Sequence, residues 1–166
     1  MEKILDFFIG TGKAFGEIFT SRMFWTCLTA WFLAAFIKML LFYRQNKRFD
    51  FRLLVGTGGM PSSHSASVAA LSAAVGLRAG FDSVLFAVSV YFSLIVMYDA
   101  AGLRRAAGRH ATLLNRLIDS HYQHDKRLVE MRLLELLGHT PFEVLIGAVV
   151  GVLFTLGWFA LGGHRG

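Results

Sequence analysis

The sequence predicts an all-α membrane protein, a small polytopic bundle of about four spanning helices in a single domain over residues 1–166. Hydrophobic residues make up 55% of the chain and charged residues 17%, whereas charged residues make up about 25% of a typical soluble domain. The apolar residues also gather in separate runs, and about 20 consecutive apolar residues are enough for a helix to cross a bilayer.

Four apolar runs are the predicted spanning helices. They cover about 23–43, 62–77, 83–103 and 142–161. Lys38 is the only charged residue in the first run, where it can either snorkel to the membrane surface or belong to a site. In the last run, Gly147 and Gly151 have the spacing that allows membrane helices to pack closely.

Two further helices are predicted outside these runs. The segment 1–22 is rich in aromatic and aliphatic residues but includes Asp6, Lys13 and Glu17, which favours an interfacial helix and leaves a spanning helix open. Between 104 and 138, apolar residues recur at helical spacing. An amphipathic helix lying against the cytoplasmic face of the membrane is therefore predicted.

The distribution of Lys and Arg predicts the orientation. With four spans, the loops at 44–59 and 104–141 lie on one side and hold eleven of the 17 Lys and Arg, whereas the opposite side holds five. The positive-inside rule places both loops in the cytoplasm, and we expect a bacterial inner membrane. Because the basic residues lie between apolar runs, anionic membrane lipid is the predicted partner and nucleic acid is not.

A phosphate site is predicted where the second run begins. Residues 58–67 read Gly-Gly-Met-Pro-Ser-Ser-His-Ser-Ala-Ser, and Pro61 suits the first position of a helix. Ser62, Ser63 and His64 then lie on the opening turn. Free backbone N–H groups and the helix dipole favour an anion there.

Other polar residues that are unexpected in apolar runs fall at the same membrane boundary under this topology. They are Lys38, Asp99, Arg104, Arg105, His139 and Glu143. His139 and Glu143 are four residues apart at a helix start and share one face, so the carboxylate can orient the imidazole. This convergence predicts a site.

The predicted chemistry is removal of a phosphate without a metal ion or other cofactor. It requires a nucleophile, an acid for the leaving group and cations for the phosphoryl oxygens. His139 and Glu143 form a catalytic pair, and His64 donates the proton. The oxygens are expected to bind Lys38, Arg104, Arg105, Arg132 and N–H groups near Ser62 and Ser63.

These motifs resemble a known family. Pro61-Ser62-Ser63-His64 and the segment 137–147 (Leu-Gly-His-Thr-Pro-Phe-Glu-Val-Leu-Ile-Gly) are similar to the second and third signatures of type-2 phosphatidic acid phosphatases. That superfamily includes bacterial acid phosphatases and vanadium haloperoxidases. The resemblance is greatest to a small divergent branch, over about 38–151, and includes Asp-Ala-x-Gly-x-Arg-Arg from Asp99. It implies that His139 is the phosphorylated histidine and His64 the proton donor.

The chain departs from the usual signatures at the phosphate-binding positions. Ser63 replaces a glycine and Glu143 replaces an aspartate, while Arg44 follows Lys38 by six residues rather than seven and has no proline after it. These departures keep a non-catalytic binding role open.

The arginine of the third signature has two candidates. Arg132 lies seven residues before His139, where the signature has six. A competing alignment places Arg104 six residues before His110, but Leu114 then takes the carboxylate position. The phosphate-binding arginine stays open between Arg132 and the Arg104/Arg105 pair, and Asp99 is expected to support that pair.

The sequence therefore predicts an integral membrane lipid phosphatase that hydrolyses a lipid phosphomonoester or pyrophosphate through a phosphohistidine. The alternative is a non-catalytic lipid-phosphate-binding or membrane assembly protein that retains the site. A transporter component and a haloperoxidase are less favoured, because the chain has few spans, no evident repeat and a basic site at the membrane. A homo-oligomer is left open.

Overall fold

All regular structure in the described residues is helical. The computed structural model describes residues 16–49, 51, 58–121 and 138–162, without the side chains of 103–105, 107 and 119–121. A helical stretch at 16–20 precedes the longer helices. These are α1 (Arg22–Asn46), α2 (Ser63–Ala79), α3 (Val84–Ala101), α4 (Leu103–His121) and α5 (Pro141–Ala160).

The predicted all-α membrane bundle is confirmed. Within the described ranges, three helices are long and apolar enough to cross a membrane, namely α1, α3 and α5. The fourth predicted span, α2, has 17 residues and is about 25 Å long, slightly less than the ~30 Å hydrocarbon core. Residues 1–15, which bear on whether the N-terminal segment spans, lie outside the described residues.

The shortest of the four predicted spans, α2, is the centre of the bundle. It packs against α1, α3 and α5, and small residues such as Ala66, Ala70 and Ala74 are fully buried on it. The surrounding helices expose large apolar side chains, among them Phe32, Tyr91 and Leu153. Small residues inside and large ones outside are the arrangement expected of a bundle whose surface faces lipid.

The closest helix contact joins α2 and α5. A Cβ atom on Gly147 would overlap the Ser62 carbonyl, and one on Gly151 would overlap the Ala66 carbonyl. One turn further, Thr155 Oγ1 lies 3.4 Å from the Ala70 carbonyl oxygen. The Gly-x-x-x-Gly pair therefore lets the α5 backbone lie directly against the start of α2.

Hydroxyl groups join α2 to α3. The Oγ atoms of Ser72 and Ser93 are 2.8 Å apart, and Ser93 Oγ lies 2.8 Å from the Val68 carbonyl oxygen. Such bonds satisfy polar groups that would otherwise meet hydrocarbon.

The predicted amphipathic helix begins at Leu103, where the third span was expected to end, and α3 ends two residues earlier, at Ala101. The Gly102 N–H donates to the Tyr98 carbonyl and ends α3, so α4 starts at Leu103. On α4, Arg109 and Arg116 are exposed, as are the apolar side chains of Leu113, Leu114 and Leu117. In the described part of the chain α4 packs only against α3, which suits a helix lying on a membrane surface.

We predict that Gly147→Ala and Gly151→Ala destabilise the protein by about 2 kcal/mol each, because a methyl group at either position overlaps a backbone carbonyl that cannot rotate away. Gly157→Ala is the matched control on the same helix, since a Cβ there meets nothing within 4 Å. Denaturant unfolding in a fixed detergent measures the effect. Equal stability of Gly147→Ala and Gly157→Ala would contradict the α2–α5 contact.

Candidate functional site

Four helices meet at the end of the bundle where α2 and α5 begin. The His139 N–H donates to the Ala100 carbonyl at 3.1 Å, which links the end of α3 to the segment before α5. The Ser62 N–H donates to the Glu143 carbonyl, also at 3.1 Å, which links the starts of α2 and α5. These backbone bonds fix the segments that carry both predicted histidines.

His139 is buried at this junction, with 1% of its surface exposed. Its Nδ1 lies 3.3 Å from Oε2 of Glu143. Its Nε2 is buried and has no hydrogen-bond partner in the described residues. Since a carboxylate accepts a hydrogen bond, it favours the tautomer with the proton on Nδ1, so Nε2 is left with a free lone pair.

The Glu143 carboxylate is held by the N-terminal cap of α5. The Thr140 N–H donates to Oε2 of Glu143 at 3.0 Å, and the Glu143 N–H donates to Oγ1 of Thr140 at 3.3 Å. This reciprocal arrangement is a capping box. The same carboxylate oxygen therefore stabilises the helix start and orients His139.

His64 lies beside His139 on the first turn of α2. The two imidazole centroids are 6.2 Å apart and the ring planes meet at 66°. His64 is half-buried. The turn that leads to it uses positive φ angles at Gly58 (97°) and Gly59 (80°), a conformation that glycine adopts without strain.

Lys38 does not snorkel, because only 2% of it is exposed. Its aliphatic stem crosses Gly59 so closely that a Cβ there would lie 3.0 Å from Cδ of Lys38. Lys38, Gly59 and Glu143 line one cavity of about 240 Å³ between α1 and α5. The cavity has room for a small anionic group, with a lysine and a carboxylate in its wall.

Ser62 and Ser63 are both buried. Ser62 is the N-cap of α2: its Oγ accepts from the Ser65 N–H at 3.3 Å and from the Ser65 hydroxyl at 3.1 Å. Pro61 therefore precedes the cap, and its expected place at the first helical position is wrong, because Ser62 is the stronger capping residue. The Ser62 N–H already bonds to Glu143, so it is not available to a ligand.

The histidines of the two alignments of the third signature lie in different environments. His110 is exposed on α4, whereas His139 is buried beside Glu143 and His64. Asp99 is half-buried and directly precedes Ala100, whose carbonyl binds the His139 N–H.

The choice of the phosphate-binding arginine, between Arg132 and the Arg104/Arg105 pair, is not tested by the structure. Arg104 and Arg105 lie on the first turn of α4, but their side chains are outside the description, and Arg132 lies outside the described residues. The roles of these arginines, and those of Ser63 and Asp99, stay predictions.

Three contributors were absent from the sequence prediction: Gly59 under the lysine stem, Thr140 in the cap and the Ala100 carbonyl. Only Thr140 had a recognisable signal, since Thr-x-x-Glu at the start of an apolar run is the capping-box pattern. The other two depend on contacts between distant segments.

Burial lowers the pKa of His139 from its ordinary value of 6.5. The hydrogen bond and negative charge of Glu143 oppose this effect, as does the Gly59 backbone more weakly, and the positive charge of Lys38 adds to it. The lowered pKa favours the neutral imidazole near pH 7. Among the described residues, no cluster of three or more His, Cys, Asp or Glu is placed to hold a metal ion.

Comparison with known proteins agrees with these motifs. Residues 19–154 match the model of a family described as the Divergent PAP2 family. The chain belongs to the Divergent PAP2 family. This confirms the resemblance to a divergent branch of the type-2 phosphatidic acid phosphatases. YuiD of Bacillus subtilis (strain 168), an uncharacterized membrane protein, is 41% identical over 150 residues, which cover 84% of this chain and 95% of YuiD. No solved structure matches the chain significantly.

We predict that Thr140→Val lowers the pKa of His139 further, because loss of the cap frees the Glu143 carboxylate that opposes the effect of burial. Loss of the cap also costs about 1 kcal/mol of stability. Thr140→Ser is the matched control, since it keeps the hydroxyl. Histidine NMR titration, with the signal assigned by His139→Gln, measures the shift. A Thr140→Val protein that loses stability but keeps the His139 pKa would show a purely structural cap.

Proposed function

We propose that this protein is an integral membrane lipid phosphatase that hydrolyses a lipid phosphomonoester or pyrophosphate. One observation carries the proposal. His139 is buried with Nδ1 held by a carboxylate, Nε2 unpartnered in the described residues and a second histidine beside it. A buried polar atom without a partner is costly in a purely structural role, but it suits a nucleophile that awaits a substrate.

The proposed reaction proceeds in two steps. Nε2 of His139 attacks phosphorus, the phosphorus–oxygen ester bond breaks, and His64 donates its proton to the departing alkoxide. A water molecule then attacks the phosphohistidine and loses a proton to His64, which releases phosphate and restores both histidines. Glu143 stabilises the positive charge that forms on His139. Lys38 neutralises phosphoryl charge from the adjoining cavity.

A lipid substrate is supported by the setting of the site. The histidines lie at one end of a bundle whose outer faces carry large apolar side chains. A lipid head group at the bilayer surface can therefore reach the histidines. Anionic lipid phosphate is thus the proposed partner, with the surrounding membrane lipids.

The proposed location is the cytoplasmic face of a bacterial inner membrane. The support is the excess of Lys and Arg in the two segments that adjoin the site, 44–59 and 104–141. Sealed inside-out vesicles are therefore the preparation in which an externally added substrate should reach the site.

A lipid-phosphate-binding protein without turnover is the second candidate. It is favoured by the burial of His139, which exposes 1% of its surface, since attack on a phosphate needs open access to Nε2. Such a protein would bind anionic lipid through the same residues and release no phosphate.

We predict that the purified protein releases phosphate from lipid phosphates in EDTA, and that His139→Ala lowers the rate by about a thousandfold or more because the nucleophile is lost. His110→Ala is the matched comparison, a histidine from the competing alignment on the exposed face of α4. A panel of phosphatidate, phosphatidylglycerophosphate and polyprenyl phosphates in inside-out vesicles supplies the substrates.

The outcomes of this experiment separate the candidates. Full activity of His139→Ala with loss in His110→Ala would select the competing alignment. Binding of the lipids with no phosphate release by the wild type would select the second candidate. His64→Ala should slow alkyl phosphates by about a hundredfold but slow nitrophenyl phosphate less, since that leaving group needs no proton.

We predict that the acid limb of the rate–pH profile lies below pH 6.5. The rate falls only as pH drops through the lowered pKa of His139, because protonated Nε2 cannot attack. Glu143→Gln should move this limb to still lower pH, since the carboxylate that raises the pKa is removed while the cap is retained. Phosphate release measured across pH in both proteins checks this. A limb that shifts upward in Glu143→Gln would contradict the assignment.

A further inference from the structure

An apolar groove runs between α3 and α5. It consists of two adjoining cavities of about 680 Å³ and 330 Å³. Leu94, Met97 and Ala148 line both cavities, so the two cavities lie side by side. Neither the phosphate chemistry nor the helix packing described above makes use of it.

The near end of the groove is at the candidate site. Ala101 and Pro141 line it there. Ala101 follows the residue whose carbonyl binds the His139 N–H, and Pro141 lies two residues after His139. The groove therefore starts beside the backbone of His139, whereas the Lys38 cavity lies on the α1 side of the same segment.

The far end of the groove is near the opposite end of α3, where Phe81 and Phe86 line it. The 15 residues from Phe86 to Ala101 correspond to about 22 Å of helix. This length exceeds half of the ~30 Å hydrocarbon core, and Ala69 and Ala73 of α2 form part of its wall.

The wall of the groove is chemically suited to hydrocarbon. The described residues that line the two cavities include no charged side chain. The hydroxyls of Ser72 and Ser93 lie 2.8 Å from each other and are thereby satisfied. More than half of the surface of Leu94, Ile95 and Leu145 is exposed, so the groove is open sideways to the bilayer.

We propose that this groove binds one long hydrocarbon chain of the lipid phosphate whose head group reaches His139. The inference rests on the proposed function for the head group and adds the chemistry of the tail. A chain in the groove would begin at the His139 backbone and extend past the middle of the bilayer. The protein would then select lipid phosphates by chain length, because each buried methylene group contributes to binding.

Photo-crosslinking in nanodiscs tests the occupant directly. The probe is octadecyl phosphate with a diazirine near the end of its chain, and its control is the matching octadecanol, which lacks the phosphate. We expect the phosphate probe to label the groove segments of α3 and α5, and unlabelled octadecyl phosphate to suppress the labelling about tenfold. Labelling spread over the outer face of α1, or equal labelling by the octadecanol probe, would overturn the proposal.

Substitutions within the groove give a second test. Ala148→Phe should fill the groove where the cavities join and weaken labelling by about tenfold. Val149→Phe is the matched control, since the neighbouring Val149 is exposed and lines neither cavity. Val152→Phe obstructs the groove about 16 Å from Pro141, so it should exclude octadecyl phosphate and still admit hexyl phosphate. Labelling unchanged in both groove variants would overturn the proposal.

Phosphate release from hexyl and octadecyl phosphate in the same preparations separates the two proposals. Labelling of the groove without phosphate release would contradict the proposed phosphatase activity and support the proposal that the groove binds a hydrocarbon chain. Phosphate release at equal rates from hexyl and octadecyl phosphate, in the wild type and in Ala148→Phe, would support the phosphatase activity. It would contradict the proposal that the groove binds the chain.

Discussion

The contact between the starts of α2 and α5 is the constraint on which the site depends. Gly147 and Gly151 bring the two backbones together, and the Ser62 N–H bonds to the Glu143 carbonyl across that contact. Because His64 follows Ser62 and His139 precedes Glu143, the distance between the imidazoles is set by backbone packing. The backbone positions of the two histidines are thus a property of the fold.

The Glu143 carboxylate takes part both in the N-terminal cap of α5 and in the candidate site. Its Oε2 accepts from the Thr140 N–H and lies beside Nδ1 of His139. A capping box requires the longer acidic side chain at this position, which gives a physical reason for glutamate where the family signature usually has aspartate. The substitution therefore fits a site whose carboxylate is anchored by the helix cap.

The predictable features were those encoded by neighbouring residues. Spans appear as apolar runs. The four-residue spacing correctly paired His139 with Glu143, but His139 lies just before the N-cap of α5 and not on the helix, and the capping box turns the Glu143 side chain back toward it. The burial of Lys38 could not be predicted, because it depends on Gly59, about twenty residues away in the chain, passing beneath its stem. The central place of α2 was equally hidden, since its many small residues indicate close packing but not which neighbours surround it. The phosphate-binding arginine could not be predicted from local spacing either, because two alignments of the third signature are compatible with the sequence.

The composition of α2 has a consequence for how the protein is made. It is the shortest of the four helices, with 17 residues, it is rich in alanine and serine, and it is not among the helices that are both long and apolar enough to cross a membrane. Insertion into the bilayer is driven by side-chain hydrophobicity, so we expect α1, α3 and α5 to enter independently and α2 to settle only among them. In that order of events, His64 reaches its place beside His139 only after α2 has packed among the other helices.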